Sequence, residues 1–317
     1  MSSLDTSPPA VPRSLPAQPV ALRKDTALQS MLLGYLELSK PRIAVVSLVT
    51  VAIGFLLGSQ GSWQPVMLLH ALAGIALVAT ASSAFNQLFE ITTDQKMKRT
   101  ASRPLPSGVL TAREVLLFAS ATGVGGVCYL AWQVNSTTAI LALATCLIYA
   151  GCYTPLKCVT SLCTTVGAVA GALPPVLGWT AAGGALNSGA LSLFAILFVW
   201  QFPHFLAIAW LYRQEYKQAG LQMIPKAAEY RKRVVGTLAV GYALVLIPVS
   251  LLPAHAELAG RGYTFAAAIL GMGYLFCTAR FAWNETKQTA RDLIRSSLLY
   301  LPALLLVMLW DHWRLLH

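Results

Sequence analysis

Residues 65–106 read PVMLLHALAGIALVATASSAFNQLFEITTDQKMKRTASRPLP, an apolar run that passes directly into a dense group of charges. The apolar part, residues 65–86, has the length of about 20 residues that a helix needs to cross a bilayer. The charged part stands out because only 11% of the whole chain is charged. This stretch therefore predicts a membrane-spanning helix that ends in a functional site.

The rest of the chain repeats the apolar pattern. Its 317 residues are 56% hydrophobic and have a mean hydropathy of +0.62. We predict an all-α polytopic membrane protein with nine transmembrane helices surrounding a central cavity. In the fifth span, small residues and the Pro174-Pro175 pair predict tight packing and a kink. The nine predicted spans are 42–59, 65–86, 113–132, 137–152, 161–181, 188–211, 234–253, 263–281 and 296–313.

The basic residues set the orientation. A formal net charge of +11 could suggest nucleic acid as a partner of a soluble protein, but 21 of the 23 Lys and Arg fall on one predicted side of the membrane. The positive-inside rule makes that side the cytoplasm and places the N-terminus there. We expect the lipid bilayer, and no nucleic acid, as a partner. Residues 1–35 are expected to form a disordered, proline-rich cytoplasmic tail, and residues 36–317 the membrane domain.

An amide and two carboxylates follow the second span at four-residue spacing: Asn86, Glu90 and Asp94. On a helix this spacing puts all three side chains on one face. Carboxylate and amide oxygens suit Mg²⁺, which completes its shell with water and phosphate oxygens. The alternative is a solvated loop in which these acids pair with neighbouring bases.

Basic residues near these acids are candidate phosphate ligands. Lys98, Arg99 and Arg103 follow the acids directly and supply hydrogen-bond donors for phosphate oxygens. Lys157 is predicted on the same side of the membrane, where a headgroup anchor and a phosphate contact are both reasonable roles. The segment at residues 37–42 is likewise either an interfacial anchor or a substrate contact.

Two polar residues in the sixth span need partners if they are buried, namely Gln201 and His204. A structural role and a ligand-binding role are equally open for His204. Tyr212 and Glu215 follow near the cytoplasmic end of the same span, where they can face the acids of the first cluster.

Four motifs together carry a resemblance to a known family. They are LSKPRI at residues 38–43, Asn86-xxx-Glu90-xxx-Asp94 with MxRT and RPL after it, YT and LK at residues 153–157, and WQxPHF at residues 200–205. From about residue 36 to residue 313 the chain resembles the protohaem farnesyltransferases, or haem O synthases, a branch of the UbiA-type intramembrane prenyltransferases. The second aspartate-rich motif of the wider superfamily is missing; residues 215–220 read EYKQAG, where the haem branch usually begins with Asp.

The resemblance implies a reaction and its partners. Farnesyl diphosphate alkylates a vinyl group of haem B, water adds, and haem O and pyrophosphate are released, as a step towards haem A and terminal oxidases. It implies Mg²⁺ as cofactor, farnesyl diphosphate and haem B as substrates, and a downstream haem A synthase or oxidase assembly factors as partners. It also implies a bacterial inner-membrane location with the active site facing the cytoplasm.

The resemblance assigns roles to the candidate residues as well. The implied catalytic residues are Asn86, Glu90, Asp94 and Lys157, and the implied metal ligands are Asn86, Glu90, Asp94 and Glu215. The implied diphosphate-binding residues are Lys98, Arg99, Arg103, Tyr153 and Lys157. The implied haem-binding residues are His204, Gln201 and Tyr212.

Two alternative functions remain at this stage. An aromatic prenyltransferase that makes a quinone precursor is disfavoured by the missing second acidic motif and by the Pro203-His204 pair. A transporter is disfavoured because no repeated half with a polar midplane site is evident.

Overall fold

The computed structural model describes residues 24–62 and 64–317. Throughout these residues the regular secondary structure is helical, without a β-strand, and a π-helical segment, Leu147–Tyr153, joins α6 to α7. The helices are α1 Lys24–Leu38, α2 Pro41–Gly58, α3 Pro65–Phe89, α4 Ile91–Asp94, α5 Ala112–Gln133, α6 Ser136–Cys146, α7 Thr154–Leu156, α8 Cys163–Ala172, α9 Pro174–Ala181, α10 Ser188–Leu211, α11 Arg213–Ala219, α12 Ala227–Tyr230, α13 Val234–Val249, α14 Leu252–His255, α15 Arg261–Trp283 and α16 Lys287–Leu316.

Within the described part of the chain, eight helical segments are long and apolar enough to cross a membrane. They correspond to eight of the nine predicted spans, and the all-α membrane fold is confirmed. The segments are Pro41–Gly58, Pro65–Phe89, Ala112–Gln133, Ser136–Leu156, Ser188–Leu211, Val234–His255, Arg261–Trp283 and Lys287–Leu316.

The predicted fifth span, residues 161–181, is two short helices rather than one. The chain breaks at Leu173, between α8 and α9, because Pro174 and Pro175 have no backbone N–H to donate to the preceding turn. The predicted kink is confirmed, but neither half is long enough to span a bilayer alone. Nine continuous transmembrane helices are therefore not confirmed.

Glycines let the second half of this broken helix approach α2 closely. A Cβ atom on Gly54 would lie 2.0 Å from the carbonyl oxygen of Pro175, and one on Gly178 would lie 1.9 Å from that of Val51. Membrane helices favour such small-residue contacts because they bring backbones together. This contact ties α9, and the break before it, to α2.

The membrane helices pack mostly against their neighbours in the chain, and α16 returns to contact α2. Large apolar side chains such as Val45, Leu69 and Ile269 remain exposed on the outside, where lipid surrounds an integral membrane protein. The central cavity and the cytoplasmic N-terminus remain predictions.

The structure differs from the predicted disordered tail over residues 24–35. These residues belong to α1, and the predicted domain boundary at residue 36 falls inside this helix. No proline occurs between Pro19 and Pro41, and Met31 and Tyr35 pack against a buried cluster that includes Leu38. Tertiary packing therefore stabilises a helix here. Residues 1–23 of the predicted tail lie outside the described residues.

Candidate active site

The three residues of the acidic motif are buried together at the end of α3. Their exposed fractions are 1% for Asn86, 7% for Glu90 and 0% for Asp94. Although α3 ends at Phe89, the Glu90 N–H still donates to the Asn86 carbonyl at 3.1 Å, and the Asp94 N–H to the Glu90 carbonyl at 2.8 Å. Helical bonding thus continues through the break into α4 and keeps the residues at helical spacing.

Each carboxylate has a basic partner. Lys157 Nζ donates to Glu90 Oε1 at 2.5 Å, and Arg103 Nη1 donates to Asp94 Oδ2 at 2.6 Å. The side chain of Lys157 is 12% exposed and that of Glu90 is 10% exposed. The acids do pair with bases, as the loop alternative expected, but these pairs are buried rather than solvated. Removing either partner of a buried pair leaves an uncompensated charge. Each acid therefore keeps its basic partner in position, and each base its acid.

Lys40, for which an interfacial anchor and a substrate contact were equally open, completes this group. Its Nζ donates to Asn86 Oδ1 at 2.8 Å, and Asn86 Nδ2 donates to Thr154 Oγ1 at 3.1 Å. Lys40 has a φ of +47°, in the left-handed region that is costly for a non-glycine residue. The strained turn before Pro41 thus carries the lysine side chain into the site.

Burial and charge act together on these groups. Burial lowers the pKa of Lys40 below its ordinary value. Burial also raises the pKa of Asp94, while Arg103 opposes that rise. For Lys157, burial acts to lower the pKa, but Tyr153 and Glu90 outweigh it and the pKa lies above its ordinary value. Lys40, Arg103 and Lys157 outnumber the two carboxylates, and this excess of positive charge suits a polyanionic ligand.

The other predicted diphosphate residues lie around these ion pairs. Lys157 Nζ lies 4.3 Å from the centre of the Tyr153 ring, a cation–π contact. Arg99 is exposed and stacks over Tyr212 at 5.2 Å, and Lys98 is exposed beside it. Tyr212 therefore contacts Arg99, one of the predicted diphosphate residues, and its expected contact with haem stays a prediction.

The oxygen ligands at the site are of the kind that Mg²⁺ prefers, although the carboxylates of the site do not form a ready-made metal cluster. Among the described residues, no group of three or more His, Cys, Asp and Glu side chains is arranged to hold a metal ion. However, Asp94 Oδ1 and Glu215 Oε2 are buried without a hydrogen-bond partner. Free carboxylate oxygens and the Asn86 amide oxygen are the hard ligands that Mg²⁺ prefers.

His204 lies on α10 and bonds to α16. Its Nδ1 is 2.6 Å from Ser297 Oγ, which in turn donates to the Ile294 carbonyl at 2.6 Å. A serine hydroxyl has one proton, and here the short contact to the carbonyl uses it, so Ser297 accepts a hydrogen from His204 Nδ1. His204 Nε2 therefore carries a lone pair, available to a metal or to a hydrogen-bond donor.

Gln201 was expected beside haem, but the structure gives it a packing role. Its Nε2 donates to the carbonyls of Leu197 at 2.8 Å and Ala168 at 3.2 Å. Its Oε1 fills the space above Gly171, where a Cβ atom would lie 2.1 Å away. Both amide hydrogens are used within the protein, and they join α10 to α8.

These features define a class of protein: an integral membrane protein with a buried acid–base site, suited to a polyanion, where its helices leave the apolar region. Comparison with known proteins narrows the class. Residues 47–313 match the UbiA prenyltransferase family. The chain belongs to this family and is a prenyltransferase, a finding that disfavours the transporter alternative.

Relatives and solved structures agree with this assignment. The chain is 41% identical over 304 residues to a protein named protoheme IX farnesyltransferase from Koribacter versatilis, covering 93% of this chain and 97% of the relative. It is 42% identical over 286 residues to the protein of the same name from Solibacter usitatus, covering 87% of this chain and 98% of that relative.

The fold agreement extends to distant structures. A digeranylgeranylglyceryl phosphate synthase structure has a TM-score of 0.76 at 18% identity and covers 90% of this chain and 99% of that protein. A UbiA homologue from Archaeoglobus fulgidus bound to GPP and Mg²⁺ has a TM-score of 0.63 at 17% identity, and the match covers 87% of this chain and 99% of that protein. At such low identity these two structures support the fold alone.

Proposed function

We propose that this chain transfers the farnesyl group of farnesyl diphosphate to a vinyl group of haem B, with addition of water, to give haem O and pyrophosphate. The observation that carries the proposal is the buried pairing of Glu90 and Asp94 with Lys157 and Arg103. The farnesyl donor is supported by the farnesyltransferase name of the bacterial relatives, and the GPP and Mg²⁺ bound to the similarly folded Archaeoglobus homologue agree with a prenyl diphosphate. The acceptor is supported by the name that the bacterial relatives share.

The basic residues bind the diphosphate by exchanging partners. Lys157 and Arg103 turn from the carboxylates to the phosphate oxygens, and Lys40 joins them from the other side of Asn86. Charge-assisted hydrogen bonds of this kind are the strong ones, and the ion pairs hold both donors in position before the substrate arrives.

The same exchange frees the carboxylates for a metal. Glu90 and Asp94, with Asn86 and Glu215, are the residues that would hold Mg²⁺. When bound, Mg²⁺ supplies positive charge that stabilises the departing diphosphate oxygens.

The bond changes balance as follows. The bond between farnesyl carbon 1 and oxygen breaks, and its electron pair leaves with the diphosphate. The vinyl π electrons form the new carbon–carbon bond, and a water oxygen adds to the adjoining carbon and loses a proton. Stabilisation of the leaving group by Lys157, Arg103 and Lys40 supplies most of the rate enhancement. The apolar helices accept the farnesyl tail and keep water away until the carbon–carbon bond has formed.

His204 contacts the haem acceptor through Nε2. A neutral imidazole nitrogen with a lone pair suits the haem iron as a ligand. A haem carboxylate would instead need an N–H hydrogen-bond donor at Nε2. We further propose a bacterial inner-membrane location with the site facing the cytoplasm, and transfer of the product to a haem A synthase or an oxidase assembly factor.

The product tests the proposal. Purified protein in detergent is supplied with haem B, farnesyl diphosphate and Mg²⁺, and the porphyrins are separated and weighed by mass spectrometry. We expect a haem that has gained farnesyl and water in the wild type, and none with Asp94→Asn. If haem stayed unmodified while an aromatic acid or a quinol precursor was prenylated, the acceptor would be that aromatic compound and the haem assignment would be wrong.

A further inference from the structure

A cavity lies beside the candidate active site. Its volume is about 850 Å³, within the range of small-molecule sites, and it lies between the end of α10, α11, the loop that follows, the start of α13 and Glu285. Tyr216 lines it and also packs with Met97, three residues after Asp94 in the chain. The Gln222 N–H, also on its wall, donates to the Lys157 carbonyl at 2.7 Å. The wall of this cavity is therefore hydrogen-bonded to the segment that carries Lys157.

The lining of this cavity is strongly basic. Among the side chains described there, Glu285 is the only acid, and it already accepts hydrogen bonds from Trp210 Nε1 at 3.2 Å and from the Gly236 N–H at 2.8 Å. The basic residues that line the cavity are Arg213, Lys217, Lys226, Arg231 and Lys232.

Aromatic side chains give the cavity an apolar surface beside these charges. The Arg213 guanidinium stacks on the Trp210 ring at 4.0 Å and donates to the Trp210 carbonyl at 2.8 Å, so its charge is fixed against an aromatic wall. Tyr216 and Tyr230 also line the cavity. Basic groups around aromatic surface suit a ligand with anionic groups on an apolar ring system.

We propose that this cavity binds the two carboxylates of the porphyrin acceptor where the protein meets the aqueous phase. This rests on the proposed function and adds a second point of attachment for the same substrate. Trp210 and His204 lie six residues apart on α10, a rise of about 9 Å. Six residues also rotate the helix by about 600°, so the two side chains lie about 120° apart around α10, and only their axial separation matches the reach of one porphyrin. Phospholipid headgroups offer the same anionic chemistry and are the competing source.

The test compares haem B with haem B dimethyl ester, which lacks the two charges. Both are titrated by their Soret absorbance into protein in phosphatidylcholine nanodiscs, without farnesyl diphosphate. We expect the wild type to bind the ester at least about tenfold more weakly, because the ester lacks both anions with which the basic lining forms charge-assisted hydrogen bonds. The double variant Arg231→Gln/Lys232→Gln should lose most of this difference by weakening haem B binding alone.

A matched control separates the cavity from general charge effects. Arg113→Gln/Arg291→Gln removes two charges from exposed positions outside the cavity, on the same predicted side, and should leave both affinities unchanged. Equal binding of haem B and its ester, or equal weakening by both double variants, would overturn the proposal. So would a cavity variant that loses only phosphatidylglycerol binding and keeps full haem B affinity, since the cavity would then be a lipid site.

This result can be separated from that of the proposed function. A charge-dependent preference for haem B without any farnesylated product would leave the cavity proposal standing and reject the reaction. Farnesylation of haem B and of its ester with equal KM would support the reaction and reject the cavity proposal.

Discussion

The ion pair between Lys157 and Glu90 makes a quantitative prediction. At 2.5 Å, and with an effective dielectric constant near 20, the attraction is about 7 kcal/mol, much of which offsets desolvation of the two charges. Losing one partner of a buried pair costs about 3–5 kcal/mol of unfolding free energy. We therefore expect Lys157→Met and Glu90→Gln each to lower that free energy by roughly this amount, and the double variant to lower it by much less than both together.

A double-mutant cycle measures this coupling directly. Unfolding free energies of the wild type, both single variants and the double variant are measured in bicelles by a reversible method, and the coupling should be about 2–3 kcal/mol. The control cycle is Arg280→Gln with Asp292→Asn, a pair at 3.5 Å whose side chains are 57% and 25% exposed, which should couple by less than about 1 kcal/mol. Additive effects at Lys157 and Glu90, or equal coupling in both cycles, would refute the buried contact.

Three further predictions address the site and the fold. Arg103→Gln removes a charge-assisted donor and should lower kcat/KM for farnesyl diphosphate by roughly 10- to 150-fold, measured by product formation. Ser297→Ala removes the hydrogen-bond acceptor of His204 Nδ1 and should weaken haem binding by about 10- to 100-fold in a Soret titration. Gly54→Ala places a methyl group against the Pro175 carbonyl and should cost at least about 1–3 kcal/mol of stability, seen as a lower melting temperature.

Each of these predictions has its own control. Lys96→Gln removes an exposed charge seven residues before Arg103 and should leave kcat/KM unchanged. Ser297→Thr keeps the hydroxyl and should bind haem as the wild type does. If Ser297→Thr bound haem as weakly as Ser297→Ala, the loss would come from altered packing rather than from the missing hydrogen bond. Gly125→Ala adds a methyl group where no atom lies within 4 Å, and should be neutral or stabilising by about 0.5–1 kcal/mol. Equal melting temperatures for the two glycine variants would contradict the close contact of α2 with α9.

Local patterns predicted much of the fold. Apolar runs of the length of a membrane-spanning helix placed eight spans, because length and hydropathy are properties of consecutive residues. The proline pair predicted a kink in the fifth span, but not that both halves would be too short to cross the membrane. The helix before Leu38 was missed because its packing partners, such as Val115 and Ala119, lie far along the chain.

The candidate site shows the same limit. Helical spacing alone put Asn86, Glu90 and Asp94 on one face, and the structure keeps their helical hydrogen bonds. The pairing of Asn86 with Lys40 spans 46 residues, and that of His204 with Ser297 spans 93, so no local pattern indicates either. Long-range contacts of this kind depend on helix packing, which the sequence pattern does not specify.

The most direct test of the central claim is the ratio of pyrophosphate released to farnesylated haem formed, measured in one reaction with purified protein, haem B, farnesyl diphosphate and Mg²⁺. The account predicts equal amounts of both products in the wild type and the loss of both with Asp94→Asn. Pyrophosphate release without modified haem, or full turnover by Asp94→Asn, would contradict it.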